Sequence, residues 1–248
     1  MKLNYPPARK DSVVEDYHGT PVEDPYRWLE DPVDADTIAF TEAQNKLLAE
    51  YMKEVPDREA IKKRLQELWS FSTITTIKEK GGKVFFSEHD GEKNQPILYK
   101  LNGEEPEQLI DPNTLSDDGT IALMVQAYSG NGEILAYSLA ESGSDKQIIK
   151  IINTQTGEHY PETLEYLRWP SVAWAKDKSG FYYSRQPAPG TVAEEDMNDY
   201  RRICWHTLGT EQLEDREIFR HDEKTLAIDP QKTDDGKYLI IWVYRGTD

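Results

Sequence analysis

Five histidines, one cysteine and a scatter of serines are the residues of this 248-residue chain that could serve as base, ligand or nucleophile. Acyl transfer by a hydroxyl needs a serine activated by a histidine, an acid that orients the histidine, and backbone donors for the oxyanion. In α/β-hydrolases the serine sits in Gly-x-Ser-x-Gly after a strand. No such string occurs. The nearest glycine-serine cluster, Tyr128-Ser129-Gly130-Asn131-Gly132, lacks the leading glycine and reads as a hairpin turn. His18, His89, His159, His206 and His221 lack the i, i+4 spacing that lets two imidazoles share a metal from one helix. Cys204 and His206 can share one strand face, but two ligands make no site, and Cys204 is expected to be a small buried hydrophobe. Glu194-Glu195-Asp196 with Asn198 and Asp199 lacks the glycine-turned spacing of a calcium loop and reads as a solvated acidic loop. Asp117-Asp118-Gly119 and Asp234-Asp235-Gly236 have the chemistry of tight turns. Paired carboxylates of a glycosidase have only the abundance of Asp and Glu behind them. No catalytic residue, metal site or cofactor is therefore assigned.

Composition narrows the partners. Lys and Arg number 29 against 46 Asp and Glu, a net charge of -17 with pI near 4.7, so neither nucleic acid nor an anionic membrane surface is expected as a partner. Charged residues make 30% of the chain, mean hydropathy is -0.76, and no apolar run approaches membrane-spanning length. One cysteine excludes an intramolecular disulfide, and Met1 to Val14 has no apolar signal core, so a cytoplasmic setting is the expectation.

The elements that would position any site change character along the chain. Phe40, Ala43, Leu47 and Tyr51 step along one helical stripe from Asp36 to Val55, with Asp34 or Asp36 as cap. Pro56 interrupts it, and Ile61, Leu65, Leu68 and Trp69 continue a second, shorter stripe. Upstream, Tyr5-Pro6-Pro7 and the stretch Asp24 to Pro32 read as extended and turn segments. After Ser70, β-branched and aromatic runs predict strands, among them 83–87, 96–101, 133–139, 147–152, 180–185, 201–208 and 237–244. Gly82, Gly132, Gly180 and Gly236 precede strands, and Gly103, Gly157 and Gly209 follow strands, both series with a period of about 50 residues.

That beat, with roughly four strands per period, predicts β-propeller blades. The expected fold is mainly β: an incomplete propeller of about three and a half four-stranded blades over residues 71–248, preceded by an N-terminal helical arm at 1–70. Blades are expected at 71–111, 116–162 and 167–219, with a fourth beginning near Leu226. Leu239 to Tyr244 is an uncharged apolar strand and, if unpaired, an aggregation hazard.

Asp16-Tyr17-His18-Gly19, followed by Val22-Glu23-Asp24-Pro25-Tyr26-Arg27-Trp28-Leu29-Glu30-Asp31, resembles the N-terminus of a prolyl oligopeptidase. The likeness continues through 40–45, through Asp111-Pro112-Asn113-Thr114-Leu115-Ser116-Asp117-Asp118-Gly119-Thr120, and through Ser142-Gly143-Ser144-Asp145, Ala173-Trp174 and Leu208-Gly209-Thr210. It covers essentially the whole chain. The resemblance implies a serine peptidase that cleaves short, proline-containing peptides after proline, in which a seven-bladed propeller gates access to an α/β-hydrolase domain and the arm packs on that domain. The catalytic residues would lie in the family's C-terminal third, so the hydrolase domain is the missing partner and this chain is expected to be inactive alone. The alternative is a non-enzymatic acidic propeller fragment that binds peptides or a partner chain. One substrate-binding residue carries over: Trp169, in Leu167-Arg168-Trp169-Pro170, where the family places an aromatic on the propeller wall of the substrate cavity. The competing reading makes Trp169 a core aromatic. Trp174 reads as core between blades.

Overall fold

The computed structural model describes residues 3–246, the side chain of Glu195 excepted, and both ends of the predicted domains, 1–2 and 247–248, lie outside the described residues. The chain divides into two units, Met1–Trp69 and Ser70–Asp248.

In the first unit, β1 (Val14–Tyr17) pairs antiparallel with β2 (Thr20–Glu23). His18 and Gly19 both have positive φ, 57° and 87°, the two left-handed positions of a tight hairpin turn. The sequence reading assigns no element to 14–23, because the turn rests on dihedrals that Asp16-Tyr17-His18-Gly19 does not advertise. Arg27 ties it down, with ion pairs to Glu15 at 2.6 Å and Asp24 at 2.5 Å. Trp28, in the 3-10 turn Arg27–Glu30, donates its indole N–H to the Arg9 carbonyl at 3.0 Å and meets the Phe40 ring edge-on at 5.8 Å. The Asp-Pro-Tyr-Arg-Trp-Leu-Glu-Asp string thus packs the arm's leading segment on its first helix.

That helix, α1 (Ala35–Lys53), starts at Asp34, whose carboxylate accepts from the backbone N–H groups of Asp36 and Thr37. After Pro56 and Asp57, with φ of 65°, α2 runs Arg58–Trp69. The apolar stripes are as the spacing predicts, yet Ile38, Leu48 and Tyr51 of α1 and Ile61, Leu65, Leu68 and Trp69 of α2 are exposed. α1 is capped by Asp34 and packs Thr37 and Phe40 near Trp28, whereas α2 buries none of its residues.

The second unit is a row of antiparallel sheets in which sequential strands are neighbours. The first holds β3 (Thr73–Lys80), β4 (Lys83–His89), β5 (Ile97–Asn102) and β6 (Glu105–Ile110). The second holds β7 (Ile121–Tyr128), β8 (Ile134–Glu141), β9 (Lys146–Asn153) and β10 (His159–Arg168). The third holds β11 (Val172–Trp174), β12 (Gly180–Arg185), β13 (Arg202–Thr207) and β14 (Arg216–Arg220). A hairpin of β15 (Ala227–Lys232) and β16 (Leu239–Tyr244) follows. Three blades and the start of a fourth match the predicted partial propeller. One boundary moves: residues 163–168 belong to the second blade, because two register shifts let β10 run on past Glu162 to Arg168.

Burial on both faces makes the middle sheet the keystone. Successive β8 side chains point to opposite faces, so Leu135, Tyr137 and Leu139 join Phe85 and Leu98 on one side, while Ile134 and Ala136 join Leu164, Phe181 and Tyr183 on the other. Burial pushes the Tyr137 phenol up to about 12. Trp174 is core between blades: it is buried, meets Phe181 at 4.9 Å and donates its indole N–H to the Ala127 carbonyl of the second blade at 2.8 Å.

Gly180 shows how closely backbones approach in the third sheet. A Cβ there would lie 2.0 Å from the His206 carbonyl oxygen and 2.8 Å from the Trp205 ring. Gly180→Ala is therefore expected to destabilise by about 3 kcal/mol, since both obstacles belong to the neighbouring strand. Urea denaturation checks this, and a loss within error of zero would show that the two strands can part without cost.

Candidate functional site

Several of the residues singled out for chemistry have structural partners. Ser129 is fully buried in the turn between β7 and β8, where its Oγ donates to Asn131 Oδ1 and accepts from the Ile134 N–H, both at 3.0 Å. No imidazole attends it. His89 and His221 accept local backbone N–H groups, and His159 meets the Tyr137 hydroxyl at 3.2 Å, its own pKa lowered by burial and by Lys150. β13 does bring Cys204 and His206 to one face, but Cys204 packs in the core, where burial raises its thiol pKa, and His206 turns to Asp215 at 2.8 Å. Among the described residues no three His, Cys, Asp or Glu side chains gather as a metal site. In the acidic loop Asp196 pairs with Lys224, which also lies 3.8 Å from Asp199. Asp118 accepts from the hydroxyl and N–H of Thr120, and Asp235 from the Thr233 hydroxyl and the Lys237 N–H, bonds that hold both carboxyls below the usual range. These are turn chemistries.

Trp169 is different. It lies between β10 and β11 with φ of 45°, and its side chain is 56% exposed, so it is not a core aromatic. The Arg168 guanidinium lies over its ring, 4.8 Å from the ring centre. The backbone beneath is held from both sides. Gln186 Oε1 accepts from the Arg168 N–H at 2.9 Å. The Trp169 carbonyl accepts from Arg201 Nη2 at 2.6 Å, and the same nitrogen reaches Ser184 Oγ at 2.8 Å and Asp229 Oδ1 at 2.7 Å. Tyr244 donates to the other Asp229 oxygen at 2.6 Å, and the Ser171 N–H to Ser184 Oγ at 3.0 Å. Five residues distant in sequence thus fix one exposed aromatic on a rigid stem. Sequence reasoning missed this network, because no spacing signals that Arg201, Ser184, Asp229 and Tyr244 converge.

Beside that stem opens a cavity of about 700 Å³ walled by the first strand of each sheet of the second unit and by β16. Lys78 and Lys80 enter from β3, Gln126 and Tyr128 from β7, and Trp242 from β16, while Pro170 joins the cavity to the Trp169 segment. Lys78 donates to the Gln126 carbonyl at 2.8 Å and stands 5.8 Å from the Tyr128 ring centre. Burial, reinforced by Lys80, lowers its pKa. The arrangement can hold a ligand.

Known proteins resemble it in sequence and in architecture. A family model described as the prolyl oligopeptidase N-terminal beta-propeller domain matches residues 5–248. The chain is 34% identical over 250 residues to the prolyl endopeptidase of Elizabethkingia meningoseptica, covering 99% of this chain and 35% of that protein. It is 29% identical over 280 residues to prolyl oligopeptidase A of Galerina marginata, covering 97% of this chain and 37% of that one. A solved prolyl endopeptidase superposes with a TM-score of 0.88 at 32% identity, over 98% of this chain and 36% of its own. The chain spans about a third of the length of these relatives.

Proposed function

This chain belongs to the prolyl oligopeptidase family, and from that premise we infer that it is the arm and access-limiting propeller portion of a serine peptidase that cleaves short peptides after proline. The observation that carries the reading is the match of the propeller family over 5–248, joined to the lack of any Gly-x-Ser-x-Gly in the sequence. Nucleophile, acid and base belong to an α/β-hydrolase domain outside these residues, which is the partner that would cover the exposed stripes of α1 and α2. The propeller then limits entry to peptides slender enough to pass it. Trp169 is the substrate-wall aromatic, offering a large apolar face on a stem already rigid before binding. A lone buried cysteine with no disulfide suits a cytoplasmic, reducing setting.

The test is turnover of a proline-linked chromogenic peptide. The 248-residue chain alone is expected to release no product above buffer, and proline-specific turnover by it would sink the assignment of chemistry to another domain. The runner-up, a non-enzymatic acidic propeller that binds peptides or a partner chain, draws on the same uncovered α2 face. It requires that a longer polypeptide carrying these residues also turn over nothing.

A further inference from the structure

We propose that the cavity on the first strands of the blades is a binding site for a peptide carboxylate, received by Lys78 and Lys80 with the adjoining apolar residue against Trp242. The argument is one of charge and space. In a protein of net charge -17, this cavity holds a single acidic residue, Asp229, and both its oxygens are engaged, by Arg201 and Ser184 on one and by Tyr244 on the other. The two lysines are not so compensated. Among the described residues neither has a carboxylate at ion-pair distance; Lys78 has only the Gln126 carbonyl, and Glu79 between them accepts from the Gly82 N–H at 2.6 Å.

Burial and the neighbouring Lys80 both disfavour the Lys78 ammonium, and an anion placed beside them offsets that cost. A volume of about 700 Å³ exceeds what an inorganic ion needs and suits a ligand of a few residues. The remaining lining fits a peptide: the Gln231 amide N–H can bond its backbone, and the Trp242 indole, its N–H held by Gln231 Oε1 at 2.7 Å, presents a fixed apolar face. The choice of a peptide rests on the peptidase reading; the choice of a carboxylate rests on the lysines alone.

Equilibrium dialysis of the 248-residue chain against three labelled probes tests it: acetyl-Ala-Pro with a free carboxylate, the same dipeptide as its C-terminal amide, and acetyl-Glu-Pro-amide. At least one acid is expected to bind about tenfold more tightly than acetyl-Ala-Pro-amide. A preference for acetyl-Ala-Pro identifies the chain terminus as the source of the carboxylate, and a preference for acetyl-Glu-Pro-amide identifies a side chain. The preference should vanish in Lys78→Gln and persist in Lys237→Gln, an exposed turn lysine away from the cavity. Equal binding of all three probes, or an acid preference unaltered in Lys78→Gln, overturns the proposal. Should Lys78→Gln not fold, reductive methylation of the unaltered chain replaces it: the preferred acid must shield Lys78 where the amide does not, and equal labelling overturns the proposal. Equal binding leaves the peptidase reading standing, whereas that reading falls on absent turnover by a longer polypeptide.

Discussion

Arg201→Met is expected to lower the unfolding free energy by about 3 kcal/mol, because it strips a mostly buried carboxylate of its cation and leaves that charge in place. Only 10% of the Arg201 side chain and 19% of Asp229 is exposed, so water can compensate little of the loss. Methionine keeps most of the arginine stem's packing, which isolates the guanidinium as the missing part. The second effect is local. With Arg201 gone the Trp169 carbonyl and Ser184 Oγ lose the nitrogen they share, and the stem that presents the ring loosens. Urea denaturation gives the energy, and quenching of Trp169 by acrylamide, isolated by difference against Trp169→Phe, gives the loosening. Adding Asp229→Asn should restore part of the stability, since the stranded charge goes too, so the double variant is expected to lose less than the two single losses combined. A loss in Arg201→Met below about 1 kcal/mol would mean that the pair is screened as a surface pair is.

How much of this was legible in the sequence follows from what each segment buries. Residues 180–185 are readable residue for residue, because Phe181 and Tyr183 alternate into a core while Tyr182 stays partly exposed. β8 is readable as a continuous apolar run because both of its faces are covered. β6 and β14 escape the reading of strands: Glu105–Ile110 and Arg216–Arg220 lie at the outer edge of their sheets, pair with one neighbour, and carry charged or polar side chains at half or more of their positions. β3 escapes for a related reason, since most of Thr73–Lys80 is exposed and its strand character comes from pairing with β4. The candidate site was less visible still. Trp169 was named through family resemblance alone, for its left-handed backbone and exposed ring give no periodic signal. Arg201 adjoins Arg202 within a run read as plain strand, and nothing local indicates that one turns inward to Asp229 while the other pairs with Glu217. Long-range polar convergence is set by how sheets stack, which a single sequence does not spell out.

Asp215→Ala is expected to cost about 3 to 5 kcal/mol, comparable with or above the Arg201 loss, because Asp215 is the acceptor on which a polar cluster between the second and third blades depends. His206 is fully buried and Asp215 only 1% exposed. The carboxylate meets His206 Nδ1 at 2.8 Å and accepts from the Tyr183 hydroxyl at 2.7 Å, and burial together with this negative neighbour raises the Tyr183 pKa, so the phenol stays a donor. Tyr183 itself accepts from Gln212 Nε2 at 3.1 Å. Across the seam Glu162, also buried, lies 3.9 Å from His206 Nε2, and neither that nitrogen nor Glu162 Oε2 has a hydrogen-bond partner. Glu162 faces the Nε2 edge of the ring, so its unused oxygen does not replace Asp215 at Nδ1. Alanine strands a buried phenol and a buried imidazole together; asparagine should cost about half as much, since its carbonyl still receives the Tyr183 hydroxyl and only the imidazole must change tautomer. Tyr183→Phe removes one donor and keeps the ring, with an expected loss of about 1 to 2 kcal/mol. Urea denaturation of the three variants checks the order. If Tyr183→Phe cost as much as Asp215→Ala, the phenol alone would hold the seam and the imidazole would contribute nothing. The predicted order makes His206 the second guest of one carboxylate, joining β13 to the segment that leads into β14.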